Sequence, residues 1–108
     1  MVAISIVDRH AEIVLAATGL SYRRVERDRS LATLSIGLDQ PLAIENVATD
    51  PRCSSLECSP GGAPVGSCLV APLQTADGYV IGALQVMDNN ARVFGEREMA
   101  LAGHLADL

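Results

Sequence analysis

Cys53, Cys58 and Cys68, with His10 and His104, are the side chains here best able to act as nucleophiles or metal ligands. Their spacing limits what they can do. A zinc site wants closer pairs and usually four ligands, and no histidine is near the cysteines in sequence. Thiol redox chemistry needs one thiol of lowered pKa and a second within reach. Arg52 beside Cys53 could lower its pKa, but Cys68 falls inside an apolar, strand-like run. The simpler reading of Cys53 and Cys68 is packing, because cysteine is often a small buried residue. A Cys53–Cys58 disulfide is sterically open. Three is an odd number, however, and a chain without a secretion signal is expected to keep its thiols reduced. His10 lies in a polar turn and His104 in a C-terminal helical stretch, so both are expected to face solvent.

Other polar residues stand out by position. Gln85 interrupts an apolar run; it fits either a surface position or a hydrogen-bonding group inside a pocket. Asp50 and Arg52 resemble an anion site, yet their simpler role is capping and bracing a loop. Asp88 is placed to end a strand and cap the following turn.

The bulk numbers describe one small domain. The chain has 108 residues, 49% of them hydrophobic, and a formal charge of −5. All eight basic residues are arginine. Arg23, Arg24, Arg27 and Arg29 come closest to a basic cluster, but Glu26 and Asp28 interrupt them, so no nucleic-acid partner is expected. No apolar run approaches the roughly 20 residues of a membrane span. The N-terminal MVAISIVDRH lacks the basic start and cleavage site of a signal peptide, so a cytoplasmic location is expected.

The elements that must position these residues centre on Ser67 to Asp88. Two apolar runs, SCLVAPLQT and YVIGALQVMD, flank a short turn in which Gly78 is best able to take positive φ. The second run divides into Tyr79, Ile81, Ala83, Gln85, Met87 and Val80, Gly82, Leu84, Val86, Asp88. Neither set is clearly polar, which predicts a central hairpin covered on both faces. Ala3 to Val7 and Glu12 to Thr18 predict another hairpin. Residues 19 to 30 read as a loop, with Ser30 as N-cap of a short helix over Leu31 to Leu38 that Pro41 ends. Leu42 to Glu45 reads as a third strand, and Asp50-Pro51 as the cap and start of one helical turn. Ser59 to Pro64 reads as a flexible loop. After a turn at Asn89 to Arg92, Gly95 is a weak cap before a helix with acidic residues in its first turn. Leu101, Leu105 and Leu108 fall at i, i+4, i+7. That helix has no stop signal and no helix precedes the first strand, so the chain is expected to be clipped at both ends.

Four stretches together resemble GAF domains, the small-molecule sensor modules of bacterial signalling proteins. They are AISIVDRH at 3–10, QPLAIENVATDPR at 40–52, LVAPLQTADGYVIGALQVMD at 69–88, and VFGEREMALAGHLADL after it. The resemblance is to the type in sensor histidine kinases and cyclic-dinucleotide enzymes. Its hairpin reads APL, a turn with Gly, an IG-L-V-D run, then Phe before an acidic helix start.

The resemblance implies an α+β fold: a GAF/PAS-like central antiparallel sheet of about five to six strands with helices on both faces. Residues 1–108 would form a single such domain, truncated at the N-terminal helix and within the C-terminal one. It also implies a ligand pocket on one sheet face, to which Leu34, Arg52, Cys53, Cys68 and Gln85 are assigned. Cys53 stands where related domains often have Phe after Asp-Pro-Arg, which again suggests packing. Bilin binding would want a Cys adjacent to a His, and haem an axial His in the pocket; neither matches. The Asn-Lys-Phe-Asp-Glu signature of cyclic-nucleotide versions is missing, since the chain has no lysine. No cofactor is identifiable, and an unknown small ligand is left open. The implied function is a non-catalytic regulatory domain, homodimeric through terminal helices and feeding an output domain. The alternatives are a structural dimerisation module with a degenerate pocket, and a thiol-dependent enzyme like the free methionine sulfoxide reductases.

Overall fold

The computed structural model describes residues 1–19, 24–37, 40–56 and 64–106. Its strands are β1 (Val2–Val7), β2 (Ala11–Thr18), β3 (Arg24–Glu26), β4 (Leu42–Ile44), β5 (Ser67–Gln74) and β6 (Val80–Asp88). They form one antiparallel sheet in the order β3-β2-β1-β6-β5-β4. Helix α1 spans Glu96–Ala106, and 3-10 turns span Arg27–Arg29, Leu31–Ser35 and Pro51–Cys53.

Local chemistry sets each turn. At the β1–β2 corner the Asp8 carboxylate accepts from the amides of His10 and Ala11 at 2.7 and 2.8 Å. At the β5–β6 corner Gly78 takes φ 86°, and its amide donates to the Thr75 carbonyl at 2.9 Å. Gly82 serves a different need. A Cβ there would overlap the Ser5 carbonyl oxygen, so glycine lets β6 lie close to β1. Pro72 is tolerated within β5 because it lies beyond Cys68, Leu69 and Val70, the segment paired with β4.

The two sheet faces are covered differently. On one, Ala3, Val14, Ile44, Cys68, Val70, Ala83 and Met87 pack under Leu31, Ala32, Val47, Cys53 and Val65. On the other, Leu69, Ala71, Leu73 and Leu84 pack under Phe94, Ala102 and Ala106. Phe94 pins the approach to α1, with the Arg92 guanidinium 4.9 Å above its ring. Strand β5 is buried from Ser67 through Leu73, as expected of a hairpin covered on both faces. Ile81 on β6 keeps 37% exposure, so the cover thins toward the turn.

Four expectations need correction. The 19–30 stretch contains β3, whose Val25 pairs with Glu12; three residues are too few for an alternating pattern to announce a strand. The strand expected third is therefore the fourth, and it ends at Ile44. The helix expected over Leu31–Leu38 is a 3-10 turn over Leu31–Ser35, and Leu38 lies outside the described residues. Helices on both faces are shown only in part: among the described residues one face carries α1 and the other carries 3-10 turns. The leucine stripe of α1 also divides. Ala102 and Ala106 are buried, while Leu101 and Leu105 are 60% and 66% exposed, because alanines let the helix sit close on the sheet.

Candidate functional site

Strand alternation puts Ser5, Glu12 and Gln85 on the face beneath the Leu31–Ser35 turn. Ser5 and Ala83 are partners across β1 and β6, as are Ala3 and Gln85, and all four are buried. Glu12, the second residue of β2, is 1% exposed. Its Oε2 accepts from the Ser5 hydroxyl at 2.6 Å and from the Gln85 amide Nε2 at 2.6 Å. Its Oε1 accepts from the Ser30 hydroxyl at 2.6 Å. Ser30 caps the turn as expected, its oxygen accepting from the Ala32 amide at 3.1 Å. One carboxylate thus ties together β1, β2, β6 and the turn above them. These short bonds to a charged acceptor offset the cost of removing it from water.

The residues assigned to a pocket are partly brought together. Cys53 and Cys68 are buried in the same core as half-buried Leu34. Cys68 sits between Ile44 of β4 and Met87 of β6. Cys58 lies outside the described residues. Gln85 is on this face too, and it is buried against Glu12 rather than on a surface. Arg52 turns outward: its Nε and Nη2 donate to both Asp50 oxygens at 3.0 and 2.6 Å. The Asp50 carboxylate also accepts from the Arg52 amide at 2.9 Å, and together these hold its pKa at about 2. Asp50 and Arg52 therefore cap and brace the loop, as the simpler reading had it. Asp88 accepts from the Asn90 amide at 2.9 Å, capping the turn after β6.

Sequence reasoning missed Glu12 as the partner of Gln85, and Ser5 and Ser30 as further donors to Glu12. Glu12 opens a β-prone run, where a charge ordinarily marks the wet end of a strand. The available signal was Gln85 itself: a polar side chain in the middle of a buried strand requires a partner.

His10 and His104 are exposed, on different elements. A shallow cleft of about 440 Å³ beside His10 is lined by Arg9, Glu26, Arg27, Asp28 and Thr33. Among the described residues no helix is long and apolar enough to cross a membrane.

Comparison with known proteins decides the family. The profile of the GAF domain matches residues 2–108. The chain belongs to the GAF family. It is 30% identical over 106 residues to a cyclic di-GMP phosphodiesterase of Pseudomonas aeruginosa, covering 97% of this chain but 18% of that protein. Among the solved structures that share the fold of this GAF domain are the following two. The GAF domain of an Acinetobacter phosphoenolpyruvate-protein phosphotransferase has TM-score 0.78 at 20% identity, over 97% of this chain and 65% of the other. The Neisseria meningitidis free methionine-R-sulfoxide reductase, solved with its substrate, has TM-score 0.76 at 19% identity, over 97% and 61%. The likeness is thus to part of a phosphodiesterase in sequence, and to a phosphotransferase's GAF domain and a reductase in fold.

Proposed function

We propose that this GAF domain is a non-catalytic regulatory module of a bacterial signal-transduction protein. It senses a small molecule on the sheet face beneath the Leu31–Ser35 turn. The observation that carries the reading is the buried cluster of Glu12, Ser5, Ser30 and Gln85. A few convergent polar groups in an otherwise apolar interior are what orients a small ligand, whereas packing alone favours an apolar core. Leu34, Cys53 and Cys68 supply apolar lining and Arg52 stands at the rim. Ligand binding shifts the population of the turn, and the sheet passes that shift on. The domain acts in the cytoplasm as a homodimer through its terminal helices, controlling an output domain in its own or a partner chain. Its likeness to a phosphodiesterase and to a phosphotransferase GAF domain supports a signalling role.

A thermal-shift screen tests this, using nucleotides, cyclic nucleotides, bilins, haem, amino acids and methionine sulfoxide. A concentration-dependent rise in Tm with one class supports sensing. A flat screen with a dimer in solution favours a second reading, a structural dimerisation module. The exposed apolar strip of Val2, Ile4 and Ile6 favours that reading. The third reading is a methionine sulfoxide reductase. Shared fold supports it, and the burial of Cys53 and Cys68 weighs against it. Rapid thiol labelling at neutral pH, with turnover of free methionine-R-sulfoxide, would establish it.

A further inference from the structure

The cleft of about 440 Å³ beside His10 is built where the β1–β2 corner meets the 3-10 turn Arg27–Arg29. Hydrogen bonds tie these two walls together. The Arg27 amide donates to the His10 carbonyl at 2.8 Å, and Arg27 Nη1 donates to the Asp8 carbonyl at 2.9 Å. The Asp8 carboxylate fixes the corner itself through the amides of His10 and Ala11. Thr33 of the Leu31–Ser35 turn borders the cleft. Its hydroxyl donates to the Ser30 carbonyl at 2.7 Å, which leaves the hydroxyl oxygen able to accept. A cleft with cross-braced walls holds its shape before a ligand arrives, which lowers the cost of binding.

The lining carries both signs of charge, and they are incompletely paired. Arg9 and Asp28 both line the cleft, yet among the described residues neither side chain makes an ion pair or hydrogen bond. Glu26 meets Arg24 at 3.8 Å between two exposed side chains, a contact that holds it only weakly. Opposite charges that share a cleft without closing on each other suit a molecule that carries one of each. A phosphate ester would be repelled by Glu26 and Asp28, and a polyamine by Arg9 and Arg27. We propose that this cleft binds a small zwitterion, an amino acid or dipeptide. Its carboxylate lies on Arg9 and the His10 ring, and its ammonium on Asp28, Glu26 and the Thr33 hydroxyl. The site is separate from the sheet face, and the proposal does not depend on the sensor reading. Because the charges are open to water, binding is weak, with a Kd of roughly 1 mM.

The test is an NMR titration that follows the backbone amides of His10, Asp28 and Thr33. The probes are glycine and glycylglycine. N-acetylglycylglycine, which lacks the ammonium, and glycylglycinamide, which lacks the carboxylate, are comparators at matched ionic strength. Glycine or glycylglycine is expected to move those amides saturably, with both comparators weaker by roughly threefold or more. Arg9→Gln and Asp28→Asn should each weaken the zwitterion roughly three- to fivefold, the size of one exposed ion pair. Arg9→Gln should leave glycylglycinamide unaffected, and Asp28→Asn should leave N-acetylglycylglycine unaffected. Both side chains are exposed, so both variants should keep the wild-type urea midpoint. A comparator that binds as tightly as the zwitterion overturns the proposal, and so does either variant that leaves zwitterion affinity unchanged. Absence of saturable shifts at the cleft with both probes overturns it as well. A hit in the metabolite screen that moves none of these amides leaves the sensor reading standing and overturns this one.

Discussion

Removing one donor from a buried carboxylate costs more than the bond it made, because the charge stays behind without full solvation. Gln85→Leu should therefore destabilise the domain by about 1–3 kcal/mol, read as a lower urea midpoint at unchanged m-value. Ser5→Ala should fall in the same range, since both donors serve Glu12 Oε2. The pair should be non-additive in a double-mutant cycle. Asp50 gives a prediction in pH. Its pKa is about 2 in the fold against 3.8 ordinarily, because the Arg52 side chain and amide favour the charged form. Its contribution is therefore complete above 3.8 and is lost as pH falls toward 2. The Tm gap between wild type and Asp50→Asn should close across that interval. Of these residues, Asp50 was legible in the sequence because Asp-Pro is a local capping pattern that needs no tertiary information. Glu12 was not, because its partners come from 7, 18 and 73 positions away.

The long elements could be read, and of the short ones β4 and the Pro51–Cys53 turn could be, whereas β3 could not. Strands β5 and β6 announce themselves by eight and nine residues of sustained apolar character around a glycine turn. Strand β3 is three residues with two charges, and pairing with β2 is what makes it a strand. The α1 stripe was misleading because periodicity marks apolar positions without saying which side is small enough to dock. Two glycines separate backbone strain from steric overlap. Gly78→Ala meets open space but keeps φ 86°, so it should cost about 1 kcal/mol and leave the sheet intact. Gly82→Ala drives a methyl into the Ser5 carbonyl and should part β1 from β6, seen as loss of amide protection across both strands.

Taken as one body, the domain is finished on one side and open on the other. Val2, Ile4, Ile6, Ile13 and Leu15 are between 37% and 60% exposed. A groove of about 260 Å³ lies between α1 and the sheet, lined by Val2, Leu84, Val86, Leu101 and Leu105. Contiguous apolar surface of this kind favours association. Sedimentation should show concentration-dependent self-association that Leu101→Arg with Leu105→Arg abolishes, without lowering the urea midpoint.

Among the described residues the sheet ends in β3 on one side and β4 on the other, each three residues long. Strands that short offer an incoming chain only a few backbone bonds, too few to template growth by strand addition. Copies of this domain that meet would therefore do so broadside, through the greasy side of the sheet. A closed pair would be the natural end point, and an open-ended fibre would not.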